Sequence, residues 1–245
     1  ITIASIQGSN HTDQGVVEVI RADASLQFGV QEMLVSPIIG PGEKFGSSIS
    51  CSGDGEYVVI GAPGGPNDSS LLNQGTVYVY KFKADGSTAI YTLLQTLTPN
   101  NREIGEKFGT VVKISNDGNT IVVGAPEATD SSTSTAGKVF VFRLHNGIFY
   151  ENETLTSGVV KGDAQFGTSV AISEDGEDLF VGAPNEDLSY SNSGAVTHFI
   201  NKTSTFATDG STASFTVGLN VGDDSAFNIN QDGTELFVSD GEVIY

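Results

Sequence analysis

The sequence predicts an all-β fold, a β-propeller of four-stranded antiparallel blades, on three observations. One stretch returns, as FGSSISCSGDGEYVVIGAP from Phe45, FGTVVKISNDGNTIVVGAP from Phe108 and FGTSVAISEDGEDLFVGAP from Phe166, with a fainter copy, SAFNINQDGTELFVSDG, from Ser225 to Gly241. The Asp-Gly pairs at Asp54, Asp117, Asp175 and Asp232 lie 63, 58 and 57 residues apart, a period that signals a repeated supersecondary unit. Four strands can be counted in each period, and four antiparallel strands in about 60 residues make a propeller blade.

Within each copy the first strand begins at the phenylalanine. Phe45, Ser47, Ile49 and Cys51 alternate with Gly46, Ser48 and Ser50, the two-residue period of a strand with unlike faces. The second strand reads differently. Tyr57 to Ile60, Ile121 to Val123 and Leu179 to Val181 are unbroken apolar runs, expected of a strand covered on both faces. Between the two, Asp-Gly supplies a hairpin turn that needs positive φ. Third strands are read at 15–20, 75–80, 137–142 and 194–199, where β-branched and aromatic residues gather. Turn signals at Asp85-Gly86, Asn146-Gly147 and Asp209-Gly210 lead into fourth strands at 91–98, 148–156 and 214–217, with 28–36 as the fourth strand of the first unit.

The boundaries that follow are an incomplete blade at 1–40, complete blades at about 41–99, 100–157 and 158–218, and an incomplete blade at 219–245, all in one region. Ends that fall inside blades predict a piece of a longer, seven-bladed polypeptide, which at about 60 residues per blade needs over 400; the alternative is a five-bladed ring closed by pairing the incomplete blades.

Phe-Gly at the start of each copy and Gly-Ala-Pro closing its second strand resemble the FG-GAP repeat, found in the integrin α-subunit propeller and in many bacterial, algal and viral surface proteins. The resemblance covers nearly the whole chain and implies a propeller with a recognition role. It departs from the integrin type at the hairpin. There, calcium blades resemble D-x-D/N-x-D/N-G-x-x-D; here the step from Phe to Asp is nine residues and the tips read Ser-Gly-Asp-Gly, Ser-Asn-Asp-Gly and Ser-Glu-Asp-Gly. Calcium takes six to eight oxygens, and a tight turn with one Asp falls short of that. Asp54, Asp117, Asp175 and Asp232 are therefore read as turn formers, with no metal and no cofactor expected.

Eleven Lys and Arg against 30 Asp and Glu leave a net charge of −19 in 245 residues. Such a surface argues against nucleic acid, which needs clustered positive charge, and against anionic lipid. No apolar run is long enough to span a bilayer, so no direct membrane insertion is expected. The single cysteine, Cys51, shares the register of Ile114 and Ile172 and reads as a small buried side chain; His11, His145 and His198 fall at unrelated points of the repeat and show no metal-ligand spacing.

Strand alternation places the Asp-Gly hairpins and the third turns at one end of each blade, and the second-to-third and interblade loops at the other. The latter vary between copies, and variable loops on a rigid scaffold are where binding sits. The candidate partner-binding residues there are Asp68 and Ser69, Glu127, Thr129 and Asp130, and Glu186, Asp187 and Tyr190. An acid precedes each Phe-Gly, at Glu43, Glu106 and Asp163, and is read as a hydrogen-bond acceptor for loop amides. Four sequons, at Asn10, Asn67, Asn152 and Asn201, are N-glycosylation candidates.

No Ser/His/Asp constellation, phosphate loop or unique acid pair is legible, so no catalytic residue is assigned. The expected function is a non-catalytic extracellular, cell-surface or virion-surface module for adhesion or recognition of a protein or glycan. The alternatives are a structural subunit of an appendage, filament or virion that self-assembles through its blade edges, and, on fold analogy alone, a propeller enzyme.

Overall fold

The computed structural model describes residues 2–6, 15–22, 28–38, 42–65, 73–85, 88–129, 135–157, 162–187, 191–208 and 211–220, with the short stretches 228–229, 236–237 and 243–244. Every regular element among them is a β-strand, as predicted. The chain divides into two units, Ile1–Thr197 and His198–Tyr245.

In the first unit, β1 (Thr2–Ile6), β2 (Val16–Ala22) and β3 (Phe28–Val35) form a three-stranded antiparallel sheet. Two four-stranded antiparallel sheets follow in simple up-and-down order. One is β4 (Ser48–Cys51), β5 (Tyr57–Ala62), β6 (Thr76–Asp85) and β7 (Thr88–Leu97); the other is β8 (Val111–Ile114), β9 (Thr120–Ala125), β10 (Lys138–His145) and β11 (Ile148–Leu155). The sheet β12 (Ser169–Ile172), β13 (Asp178–Ala183), β14 (Ala195–Thr208) and β15 (Ser211–Asn220) repeats that order, and the division between units falls within β14. In the second unit β14 pairs with β15 from Phe199↔Asn220 to Thr208↔Ser211. It also holds a three-stranded sheet of β16 (Asn228–Ile229), β17 (Leu236–Phe237) and β18 (Val243–Ile244).

The apolar runs of the second strands are covered on both faces in two copies. All six residues of β5 and all six of β9 are buried, because each sheet is sandwiched between neighbours. Odd and even residues serve different cores. Tyr57 and Val59 join Val77, Val79, Phe108, Val112 and Val123 in one cluster, while Val58, Ile60 and Ala62 join Val17, Val19, Leu34 and Phe45 in the other. The third copy departs from the reading: in β13 burial alternates, and Phe180 is 44% exposed between buried Leu179 and Val181. Cys51 likewise is half-buried, packed against the edge of the second cluster rather than enclosed by it.

A second correction concerns where the first strand begins. Phe45-Gly46 lies in a turn ahead of β4, and Phe108 and Phe166 likewise precede β8 and β12. Lys44, Lys107 and Gln165 take φ of 59°, 54° and 55°, and the Ser47 amide donates back to the Lys44 carbonyl (3.1 Å). This bend turns each ring inward, so that Phe45, Phe108 and Phe166 are all buried, the first two in the clusters between sheets.

The glycines of the repeat make the seam between blades. Gly75, opening β6 at φ +87°, bridges Phe108 of the following sheet, and a Cβ there would overlap the Phe108 carbonyl oxygen. Gly61 of Gly-Ala-Pro abuts the Gly109 carbonyl, which also accepts a hydrogen bond from Ser48 Oγ (2.8 Å). Backbone therefore meets backbone without side chains between, and successive blades are held in a fixed register. The outer strands β7 and β11 carry a bulge at the same place, leaving Leu94 of β7 and Asn152 of β11 unpaired with the third strand.

The Asp-Gly tips are four-residue loops rather than two-residue turns, and only the glycine takes positive φ, at 71° for Gly55, 75° for Gly118 and 76° for Gly176. The aspartate works by hydrogen bonding. In the first tip Asp54 Oδ1 accepts from Ser52 Oγ (2.6 Å) and the Glu56 amide (2.8 Å), while Ser52 Oγ accepts from the Tyr57 amide (3.0 Å). Asp117 and Asp175 repeat the arrangement with Ser115 and Ser173. The hydrogen bonds from Ser52 and Glu56 hold the Asp54 carboxyl below its ordinary range; at Asp117 burial opposes the shift, but bonds from Ser115 and Asn119 outweigh it. A depressed carboxylate pKa contributes stability that is present above the unfolded value, about 3.9, and is lost as pH falls through the folded value. Asp117→Ala is accordingly expected to cost about 1 kcal/mol at pH 7 and almost nothing near pH 2, read by urea denaturation at the two pH values. An equal cost at both would show that the carboxylate charge plays no part in the turn.

Candidate functional site: the long-loop end

The two ends of the blades are built differently. At the hairpin end the tips are chained: the Gly53 amide donates to the Asn116 carbonyl (2.9 Å), and the Asp117 amide to that of Glu174 (3.2 Å). At the other end, the turn after Gly-Ala-Pro docks on the interblade loop. The Gly64 amide donates to Glu43 O (3.1 Å) and the Asn185 amide to Ala164 O (3.3 Å), while Phe108 and Phe166 donate to Gln74 O (2.8 Å) and Ala136 O (2.9 Å). The second-to-third and interblade loops thus share one end in each of these blades.

Each of the three Phe-Gly copies buries one carboxylate at this junction, and the chain supplies it from either side. Glu43 lies over Gly65, where a Cβ would press on the Glu43 side chain, and Glu106 takes the same place before Phe108. In the third copy the place two residues before Phe166 is Ala164, fully buried, and the acid is instead Glu186. Matching turn bonds fix the equivalence, since Gly75, Gly137 and Gly194 donate to the carbonyls of Gly65, Ala128 and Glu186 at 2.6, 2.9 and 3.0 Å. The regular acid expected at Asp163 is thereby corrected: Asp163 is exposed at φ 69° and accepts from Thr135 Oγ1.

These three carboxylates are satisfied differently. Glu43 accepts from the Tyr78 hydroxyl rather than from a loop amide, and burial raises its pKa against the hydrogen bonds from Ser36 and Tyr78. Phe140 replaces Tyr78 in the second blade, and neither oxygen of Glu106, 1% exposed, has a hydrogen-bond partner of good geometry among the described residues. Burial pushes Glu106 up to about 7, the Glu103 carboxylate adding to the shift and the Glu103 amide, Lys138 and Arg102 opposing it. Glu186 Oε2 accepts from Ser157 Oγ (2.6 Å).

Of the sequence-predicted residues, Glu127 and Thr129 lie on the turn after β9. Glu127 is half-buried and paired with Lys107; Thr129 is exposed, its amide (2.9 Å) and hydroxyl (2.6 Å) both donating to Glu103 Oε2. Glu186 is buried and out of reach of a partner, a correction that follows from its role in the junction. Half-buried Asp187 accepts from the Asn192 amide. Asp68, Ser69, Asp130, Tyr190, Asn10 and Asn67 lie outside the described residues, as does the side chain of Asn201; Asn152 is exposed on the bulge of β11.

The residue that organises the second blade's loops is one that sequence reading missed. Glu103 bonds Lys138 through Oε1 (2.6 Å) and Thr129 through Oε2, joining the interblade loop, β10 and the turn after β9. Nothing periodic marks it, because the third copy has no acid at the matching place. Ile104 beside it is 71% exposed. Among the described residues no group of His, Cys, Asp and Glu has the geometry to hold a metal ion, and no helix is long and apolar enough to cross a membrane.

Integrin alpha-2 of Mus musculus is 30% identical over 192 residues, 68% of this chain and 15% of the relative. Integrin alpha-11 of Homo sapiens is 31% identical over 151 residues, 58% of this chain and 12% of the relative, so the chain spans well under a fifth of either protein. Among solved structures, a periplasmic gluconolactonase of Pseudomonas aeruginosa aligns over 95% of this chain and 71% of its own at 16% identity, with a TM-score of 0.37 that carries no functional argument. The FG-GAP repeat matches residues 34–80, 91–142 and 149–197, which is more than half of the sequence and coincides with the Phe-Gly turns, Gly-Ala-Pro strands and third strands described above: the chain belongs to the FG-GAP repeat family.

Proposed function

We propose that this chain is a non-catalytic recognition module of an extracellular or cell-surface protein, and that it meets a protein or glycan partner with its long-loop end. The observation that carries this reading is the division of labour between the ends. The seam uses repeated glycines and phenylalanines, and the hairpin tips keep Ser-x-Asp-Gly and are chained through backbone, whereas the loop end carries residues that differ from blade to blade, such as Glu103, Ile104, Glu127 and Thr129. The likeness to integrin α chains supports a protein partner. An excess of carboxylates on that end favours a basic or hydroxyl-rich surface.

One observation favours the second reading, a building block that self-associates through blade edges. The outer strand β7 has no charged residue in ten, and exposes Ile90, Leu93 and Leu94, while β11 carries Glu151 and Glu153. Two variants separate the readings. Ile104→Arg combined with Thr129→Arg is expected to abolish attachment to protein- or glycan-coated surfaces and leave sedimentation unchanged. If Leu93→Lys with Leu94→Lys instead dissolves a self-assembled form, and the loop variant changes nothing, the recognition reading is wrong.

A further inference from the structure

We propose that Glu106 is a proton-operated latch on the loop end of the second blade: protonated, it leaves Glu103 to hold Lys138 and Thr129 together; ionised, it draws Lys138 and Arg102 to itself and lets the loops part. This latch would serve the loop-end reading above, on which its purpose rests, although its chemistry is that of the chain alone.

The geometry comes first. Glu106 is closed off from solvent, and it is flanked by the two residues that fasten the loops. Three positions before it, Glu103 takes Lys138 Nζ (2.6 Å) and both donors of Thr129; one position after it, Lys107 pairs with Glu127. The charged groups facing it are Arg102 and Glu103 on its own loop and Lys138 on β10, with the Lys107–Glu127 pair alongside. Arg102 is only loosely engaged: Nη2 donates to Gly75 O at 3.4 Å, and Nε is buried without a partner.

Burial without a partner costs a neutral carboxyl less than an anion, and the donors able to satisfy the anion are those that Glu103 and Arg102 now hold or leave idle. Loss of the proton to solvent therefore sets two carboxylates in competition for one ammonium. Glu103 itself does not supply the response near neutrality, since bonds from Lys138 and Thr129 outweigh its burial and keep its carboxyl below the ordinary range. Burial raises Glu106 to about 7, which puts the change where pH near neutrality can work it. Glu43 has one oxygen bonded by the Tyr78 hydroxyl and Glu186 one bonded by Ser157, whereas neither oxygen of Glu106 has a partner of good geometry among the described residues, so the latch belongs to the second blade.

Amide hydrogen exchange on the full chain, without a partner, tests the latch separately from the recognition reading. After correction for the intrinsic pH dependence of exchange, protection of the Thr129 amide is expected to fall about tenfold between pH 6 and pH 8.5, with the Asp117 turn unchanged. Glu106→Gln, which keeps the shape and cannot ionise, should hold the protected state throughout. Unchanged protection in the native chain, or the same loss in Glu106→Gln, would overturn the proposal. Should that variant fail to fold, the carboxyl carbon resonance of Glu106 in the native chain decides: a midpoint above pH 6 supports the latch, and one below pH 5 sinks it.

Discussion

Gly75→Ala is expected to cost about 3 kcal/mol or more, among the largest losses available to so small a change. Two penalties add. An L side chain at φ +87° pays about 1 to 2 kcal/mol for the left-handed conformation, and the added methyl must displace the Phe108 carbonyl and amide, which are backbone and cannot swing away. The neighbouring sheets would have to part at the bridge between Gly75 and Phe108. Gly147→Ala is the control, because its φ is +80° but nothing lies within 4 Å of the added carbon. It should show the conformational penalty alone, about 1 kcal/mol. Denaturant midpoints of the two variants compare them directly; similar losses would mean that the seam is looser than the backbone contact implies.

Phe108→Ala should cost about 3 to 5 kcal/mol, through lost transfer energy and the cavity left behind. The ring is fully buried, edge-on to Phe140 at 5.3 Å and Phe142 at 6.0 Å, and it shares its cluster with Val59, Val77 and Val79 of the preceding sheet. Sheets on both sides line the cavity, and the backbone bridge restrains their collapse. Chemical denaturation measures the effect, and a loss below about 1 kcal/mol would place the ring outside the core.

These two variants probe the same joint from its two partners, and together they give the repeat signature a physical meaning. The phenylalanine fills the space between blades, and the glycines let the blades touch. Both residues lie at the base of the loop end, where the Gly75 amide donates to the Gly65 carbonyl and the Phe108 amide to that of Gln74, so either substitution would disturb the loop junction together with blade register.

Much of this was legible from the residues. Period, strand count, strand order and the two-faced burial of β5 and β9 follow from the spacing of Asp-Gly and from unbroken apolar runs, because hydrophobic periodicity and turn chemistry act locally. The recurring Phe-Gly reads from the sequence as the start of a strand and not as a bend, since alternation of Phe45 with Gly46 and Ser47 looks the same whether the chain is extended or turned by a left-handed Lys44. Alternating burial in β13 was hidden for a related reason. Apolar character permits burial on two faces, and only a covering neighbour achieves it.

The sequence alone determined the FG-GAP repeat, the blade as its unit, the acidic surface and the sorting of loops to opposite ends, all consequences of pattern along the chain. The tertiary structure decided what becomes of the acids. Glu43, Glu106 and Glu186 share one kind of buried place although Glu186 comes from another part of its repeat, and exposed Asp163 does not, because burial is fixed by what packs across the junction and not by position before Phe-Gly. Glu103 became the fastening of Lys138 and Thr129 for the same reason: its partners lie 35 and 26 residues away, a distance along the chain that folding alone closes.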